Sequence, residues 1–186
     1  MIGFAMCGSY CTHKYAIDQM RQLVRVGYDI LPIMSENVYS TDTRFGTAKE
    51  LIQKVTDICG REVVHTIVDA EPIGPKLNLE AMVVCPCTGN TLGKLANGIT
   101  DSSVTMAVKA HLRCDRQTLI ALASNDSLSQ NLSNMGRLIT RKSVYFVPMI
   151  QDDPQKKPHS LVADFSRLPE AFGQMIAGVQ MRPVFI

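Results

Sequence analysis

The chain has 186 residues, 46% of them hydrophobic and 19% charged, enough for one domain (1–186) with a substantial buried core. Nineteen basic and 17 acidic residues leave a formal net charge of +2, without the basic stripe that a nucleic-acid partner demands. No apolar run reaches the roughly 18 residues that cross a bilayer. The opening Met1–Met6 lacks a basic leader, so a cytoplasmic protein with its six cysteines reduced is expected.

Ile2–Met6 is a short apolar run that reads as a buried strand, followed at once by the turn Cys7-Gly8-Ser9. From about His13 to Val26, Ile17, Met20, Leu23 and Val24 recur at helical spacing, and Gly27 ends the run. Tyr28–Met34 is a second strand in which Pro32 points to a sheet edge. Ser35–Thr43 reads as a loop, and Leu51, Ile52, Val55 and Ile58 define the next amphipathic helix, closed by Gly60. Val63–His65 is a candidate short strand, and Asp69–Pro75 is the clearest loop in the chain.

Ala81–Cys85 is a third strand, which Pro86 is expected to stop. Helices follow at about Thr91–Ala96 and Ser102–Leu112, separated by Asn97-Gly98. Thr118–Ala123 is another strand, and Asn125–Arg141 carries a helical pattern through Leu128, Leu132, Met135, Leu138 and Ile139. Val144–Val147 reads as the last strand. The polar loop Pro148–Pro158 then leads to a final helix from about Ser160 to Ala177. Strands that alternate with helices imply right-handed parallel crossovers and a doubly wound α/β sandwich of three layers.

In such sheets ligands bind beyond the carboxyl ends of the strands, where helix N-termini offer free N–H groups. Gly8-Ser9 after the first strand, Ser35 after the second, and Thr88-Gly89-Asn90 after the third occupy those positions. Taken alone, a serine such as Ser9 or Ser35 is more often a helix cap or turn residue than a ligand contact. Neither the G-x-G-x-x-G fingerprint nor a P-loop is present, which argues against a standard NAD domain. Cys85-x-Cys87 is not a zinc-knuckle spacing, and no metal site is expected; Cys85 should point into the core, whereas Cys87 could face a ligand.

Pro86-x-Thr88-x-Asn90-Thr91-x-x-Lys94-x-Ala96-x-Gly98-Ile99-x-Asp101 resembles the hallmark of the FMN-binding flavoprotein family, which includes flavin-containing cysteine decarboxylases and flavin prenyltransferases. Gly8-Ser9 with Lys14-Tyr15 is similar to that family's first phosphate loop and helix. The resemblance implies a Rossmann-like domain with a mostly parallel sheet, assembled as a trimer or a multiple of trimers, with FMN between subunits. It assigns Gly8, Ser9 and Ser35 to the phosphate, and Thr88, Gly89 and Asn90 to the ring or ribityl chain.

Ala123-Ser124-Asn125-Asp126, Asn131, Asn134-Met135-Gly136, Lys142 to Met149, Gln151–Pro154 and Lys157–Phe165 resemble one branch of that family. There the flavin-fold chain works with a separate subunit similar to NAD(P)-dependent dehydrogenases on a small dicarboxylate. The likeness also implies the mother cell of a sporulating bacterium. Lys156, Lys157 and His159 are candidate cations for such a substrate, or surface solubilisers; Asp152-Asp153 is a solvated turn, or part of a loop that wraps a neighbour or caps the ligand.

Departures from the family pattern narrow the chemistry. Ser35–Lys54 holds no histidine where the decarboxylases carry one, and His65, further on, reads as structural. Ser124-Asn125-Asp126 replaces the decarboxylase Pro-x-Met-Asn, so decarboxylation of a peptidyl cysteine is not expected. Met106 and Lys109 stand near where the prenyltransferases place an arginine. No residue takes a catalytic label from sequence. A non-catalytic assembly subunit and a prenyltransferase-like enzyme stay open beside an oxidoreductase component.

Overall fold

The computed structural model describes residues 1–186. Five parallel strands form its centre: β1 (Ile2–Met6), β2 (Ile30–Met34), β3 (Met82–Cys87), β4 (Thr118–Ser124) and β5 (Val144–Phe146), in the order β2-β1-β3-β4-β5. Two short strands, β6 (Met149–Ile150) and β7 (Leu161–Ala163), extend the sheet antiparallel from the end of β4, through Ala123↔Val162 and Ser124↔Leu161.

The helices are α1 (His13–Arg25), α2 (Glu36–Ser40), α3 (Ala48–Cys59), α4 (Ile67–Ala70), α5 (Gly89–Ala96), α6 (Ser103–Leu112), α7 (Gln130–Ile139) and α8 (Leu168–Ile176). Each face of the sheet carries its own core. Phe4, Met6, Val83, Leu119 and Ala121 pack against Met20 and Leu23 of α1 and Phe172 of α8. Ala5, Val84, Ile120 and Leu122 pack against Leu92 of α5, Val104 and Val108 of α6, and Met135 of α7. Burial on both faces is why these strands read as unbroken apolar runs. The three-layer α/β sandwich expected from the sequence is the fold observed.

Pro32 sits on the edge strand β2, where its missing N–H costs no ladder bond. The segment around Val63 adds only the bridge Ile33↔Val64 beyond that edge. Thr47 and Glu50 form a reciprocal capping box at the start of α3, and Gly60 closes it at φ +64°, a conformation that favours glycine.

Several expectations are corrected. The Ser35–Thr43 loop contains α2, and the loop expected at Asp69–Pro75 is entered by α4 and holds a 3₁₀ turn at Glu71–Ile73. Pro72 stands at the start of that turn, where a missing N–H is tolerated. Pro86 does not stop β3, which runs to Cys87 with a register shift between Val84 and Cys87. The helix predicted from Asn125 begins at Gln130, after a turn. Val144–Val147 is not the last strand, and the final helix starts at Leu168, because Leu161–Ala163 pairs as β7. No helix is long and apolar enough to cross a membrane.

His111 of α6 is fully buried, and its Nε2 donates to the Gln117 carbonyl at 2.9 Å, the same oxygen that accepts from Met82 N. Burial lowers its pKa from 6.5 to about 4, so the fold favours the neutral ring. This stabilisation is complete above pH 6.5 and is lost as pH falls toward 4, amounting to roughly 2 kcal/mol between pH 7 and 4.5. Burial depresses His13 in the same direction. His111→Gln is therefore expected to lose markedly less stability than wild type over that interval in urea titrations. Equal losses would show that His111 contributes nothing to acid sensitivity.

Candidate functional site

Strand order reverses between β1 and β3: the chain leaves β1 toward β2 on one side and returns to β3 on the other. The following connections cover opposite faces, so the turns after β1 and β3 part and open a crevice at the carboxyl ends. Cys7 N donates to the Pro86 carbonyl at 3.1 Å and ties the two turns together. Two clefts meet over this junction. One, of about 610 Å³, is lined by Gly8, Ser35, Glu36, Thr88, Asn90 and Lys94 among others. The other, of about 720 Å³, includes Gly8, Ser9, Arg44, Gly89, Asn90, Asp126 and Lys157. Gly8, Tyr10, Thr88 and Asn90 belong to both.

All six residues singled out from the sequence thus line this crevice, but they are differently available. The Ser9 hydroxyl caps no helix, while its carbonyl accepts from Thr12 N and Oγ1. Ser35 Oγ accepts from Val38 N at a long 3.4 Å, leaving the hydroxyl proton unspent. Thr88 is committed: its Oγ1 accepts from Thr91 N at 3.2 Å and donates to Thr91 Oγ1 at 3.1 Å. Asn90 is exposed at the start of α5.

Gly89, assigned by the resemblance to the ring or ribityl chain, is buried, and a Cβ there would lie no more than 2.8 Å from each of Ser124 Oγ, Asn131 Nδ2 and Asp126 Oδ1. Its hydrogen atoms let α5 touch the turn after β4. That turn is polar and tightly bonded. Asp126 accepts from Ser124 Oγ at 2.5 Å and Asn131 Nδ2 at 2.9 Å, which hold its carboxyl below the usual range. Asn134 donates to Asn131 Oδ1, Asn97 to Asn134 Oδ1, and Arg137 to Asn97 Oδ1, extending the chain to the surface.

Charges in the first cleft are largely spoken for. Glu36 accepts from Ser103 N at 2.8 Å and so occupies the N-terminus of α6, while Ser103 Oγ donates to the Met34 carbonyl. Lys94 pairs with Asp101 at 2.9 Å. An anion here would meet hydroxyls and backbone N–H groups rather than a free cation. His13, which sequence reading left as a helix start, donates from Nε2 to the Cys7 carbonyl at 2.8 Å and holds the first turn in shape.

Cys87 does not face the cleft. It is fully buried, its thiol donates to the Thr88 carbonyl, and burial pushes its pKa far up. Cys85 lies in the core as expected. His65 stacks on Tyr39 with ring centroids 3.6 Å apart, the structural role anticipated for it. Lys156 and His159 are exposed and line neither cleft. Lys157 does line the second, but it is already bound to Asp152 at 2.6 Å, and Ser160 donates to the same carboxylate.

The chain belongs to the Flavoprotein family, whose model matches residues 1–165. Within it, the chain is 43% identical over 185 residues to the B subunit of dipicolinate synthase from Bacillus subtilis (strain 168), covering 100% of this chain and 92% of that protein. The crystal structure of the dipicolinate synthase B subunit from Bacillus halodurans C superposes with a TM-score of 0.91 at 42% identity, covering 100% of this chain and 95% of that one. Burkholderia xenovorans DmrB in complex with FMN shares the fold at 17% identity, with a TM-score of 0.65 over 95% and 94% of the two chains.

Gly89→Ala drives a methyl into Asp126 and the two side chains, Ser124 and Asn131, that donate to it. Overpacking of this kind costs about 1–3 kcal/mol, and at this chain length each kcal/mol lowers Tm by roughly 2–4 °C. Calorimetry should show that drop. An unchanged Tm would mean that the turn after β4 yields freely.

Proposed function

We propose that this chain acts as the B-type subunit of a dipicolinate-forming enzyme during sporulation. It works with an NAD(P)-dependent A subunit to oxidise a dihydrodipicolinate-related precursor, and holds FMN in the crevice between β1 and β3. The full-length likeness to the B subunit of dipicolinate synthase carries this reading. The crevice supports it chemically. A combined space of two adjoining clefts, each within the usual range for small-molecule sites, suits a ligand of cofactor size.

In this reading the Ser9 and Ser35 hydroxyls and the Gly8 backbone hold the phosphate. Asn90 and the neighbouring Thr88 turn meet the ribityl chain or ring, and Gly89 acts by bringing the Asp126 turn against them. Aromatising a dihydropyridine dicarboxylate removes a hydride equivalent and a proton from the ring. Bound FMN, like the nicotinamide on the partner, supplies a two-electron acceptor. Asp126, kept ionised by Ser124 and Asn131, places a fixed negative charge in the lining of the second cleft. Copies of the chain assemble as trimers or multiples of trimers, as the resemblance implies.

Two measurements test the proposal. Ser9→Ala and Ser35→Ala each remove one hydrogen bond to a charged group, worth about 1.5–3 kcal/mol, so FMN titration by fluorescence should show affinity falling roughly 10- to 150-fold. Unchanged affinity in both variants would place the phosphate elsewhere. Mixing this chain with an A subunit and the dihydro precursor should raise the rate of dipicolinate formation, and equal rates without this chain would defeat a catalytic role.

A further inference from the structure

The second cleft contains two cations, and they differ in one respect that sequence could not reveal. Lys157 is neutralised by Asp152 at 2.6 Å. Arg44, which lines the same cleft, makes no ion pair. Its guanidinium carbon lies 4.9 Å from the centroid of the Phe45 ring, a cation–π contact that orients the planar head.

The turn that carries Arg44 is firmly built. Thr43 N donates to the Gly46 carbonyl at 3.0 Å, and Gly46 N returns to the Thr43 carbonyl at 3.1 Å. Phe45 N donates to Thr43 Oγ1 at 3.1 Å, and Ala48 N to Asp42 Oδ1 at 2.8 Å. Arg44 is therefore an exposed cation on a tied support, with a flat apolar ring beside it, facing a cleft of about 720 Å³.

The other charges in the cleft define where an anion can lie. Asp126 is an ionised carboxylate beside Gly89 and Asn90, and Asp152 is a second near Lys157. A ligand carboxylate placed at Asp126 would be repelled and at the Asp152–Lys157 pair would find the cation already taken, whereas at Arg44 it meets five unspent N–H donors in the fork geometry that suits a carboxylate.

We infer that Arg44 is the carboxylate-recognition residue of the second cleft, selecting a planar, carboxylate-bearing substrate that lies against Phe45. The inference rests on the function proposed above and deepens it, assigning to Arg44 the role that sequence reading offered to Lys156, Lys157 and His159. It makes Arg44 a specificity-determining residue for the substrate carboxylate, a task separate from the phosphate contacts given to Gly8, Ser9 and Ser35.

Calorimetric titration of the FMN-saturated chain with pyridine-2,6-dicarboxylate tests it. Arg44→Gln should weaken binding at least about tenfold, the loss of one charge-assisted bidentate pair. Arg44→Lys should restore part of that loss, and Lys156→Gln, which removes the same charge away from the cleft, should leave affinity as in wild type. FMN affinity should be unchanged in all three. Arg44→Gln binding as tightly as wild type, or wild type binding FMN but no dicarboxylate, overturns the role of Arg44 and leaves the flavin site standing. A wild-type chain that takes up no FMN overturns the flavin reading instead. Arg44 is then judged by the same titration of the flavin-free chain, where loss of binding in Arg44→Gln supports it and equal binding refutes it.

Discussion

A single backbone hydrogen bond, from Cys7 N to the Pro86 carbonyl, joins the two turns on which the site depends. Both groups lie at the ends of buried parallel strands, where an unpaired amide would be costly. His13 reinforces the arrangement by donating to the Cys7 carbonyl from the first residue of α1. The turn after β1 is thus held from the β3 side through its N–H and from α1 through its C=O. Gly8 and Ser9 project beyond that anchor without having to supply it, and the Ser9 hydroxyl is left free for a ligand.

A second set of polar contacts fixes the other wall. Gly89 lets the first turn of α5 approach Ser124, Asp126 and Asn131 at distances no larger residue allows. The amide chain from Asp126 through Asn131, Asn134 and Asn97 to Arg137 links the β4 turn to α7 and α5. Such a network is rigid only when every member is satisfied, and here each amide both gives and receives. β7 pairs with Ala123 and Ser124 and braces the same strand end from the far side. The wall near Asp126 is therefore set by contacts from α5, α7 and the β6–β7 arm together.

The central sheet was legible in the sequence because its strands are buried on both faces and their apolar runs are continuous. Gly8, Ser35 and Thr88 could be located because they follow directly on those runs. What escaped was too short to show a period or depended on distant partners. α2 and α4 have five and four residues, and their visible traces are the caps Ser35 to Val38 and Thr66 to Asp69. β6 and β7 have two and three residues, separated by a polar loop, and pair only through the end of β4. Gly89 reads as a loosened turn until α7 is brought against it. Arg44 lies in a polar stretch between helices, and nothing local distinguishes it from Lys156 or His159. Only the placement of its turn on the cleft wall does so.

The two clefts treat charge differently, and that difference orders the site. Around Ser35 the acids are consumed by structure: Glu36 caps α6 and Asp101 holds Lys94, so a phosphate would be met by hydroxyls and peptide dipoles fixed by the fold. Across the junction, Asp126 stays ionised inside a hydrogen-bonded turn and Lys157 is spent on Asp152, which leaves Arg44 as the cation without a partner. On the proposed function, a ligand with a phosphate at one end and a planar ring at the other would set its tail among the neutral donors around Ser35. In the same reading, a carboxylate-bearing molecule arriving in the second cleft would be directed away from Asp126 and toward Arg44. Phosphate docking would then fall to uncommitted hydroxyls and carboxylate selection to the unpaired guanidinium, so that one crevice would serve a permanent and an exchanging anion with different groups.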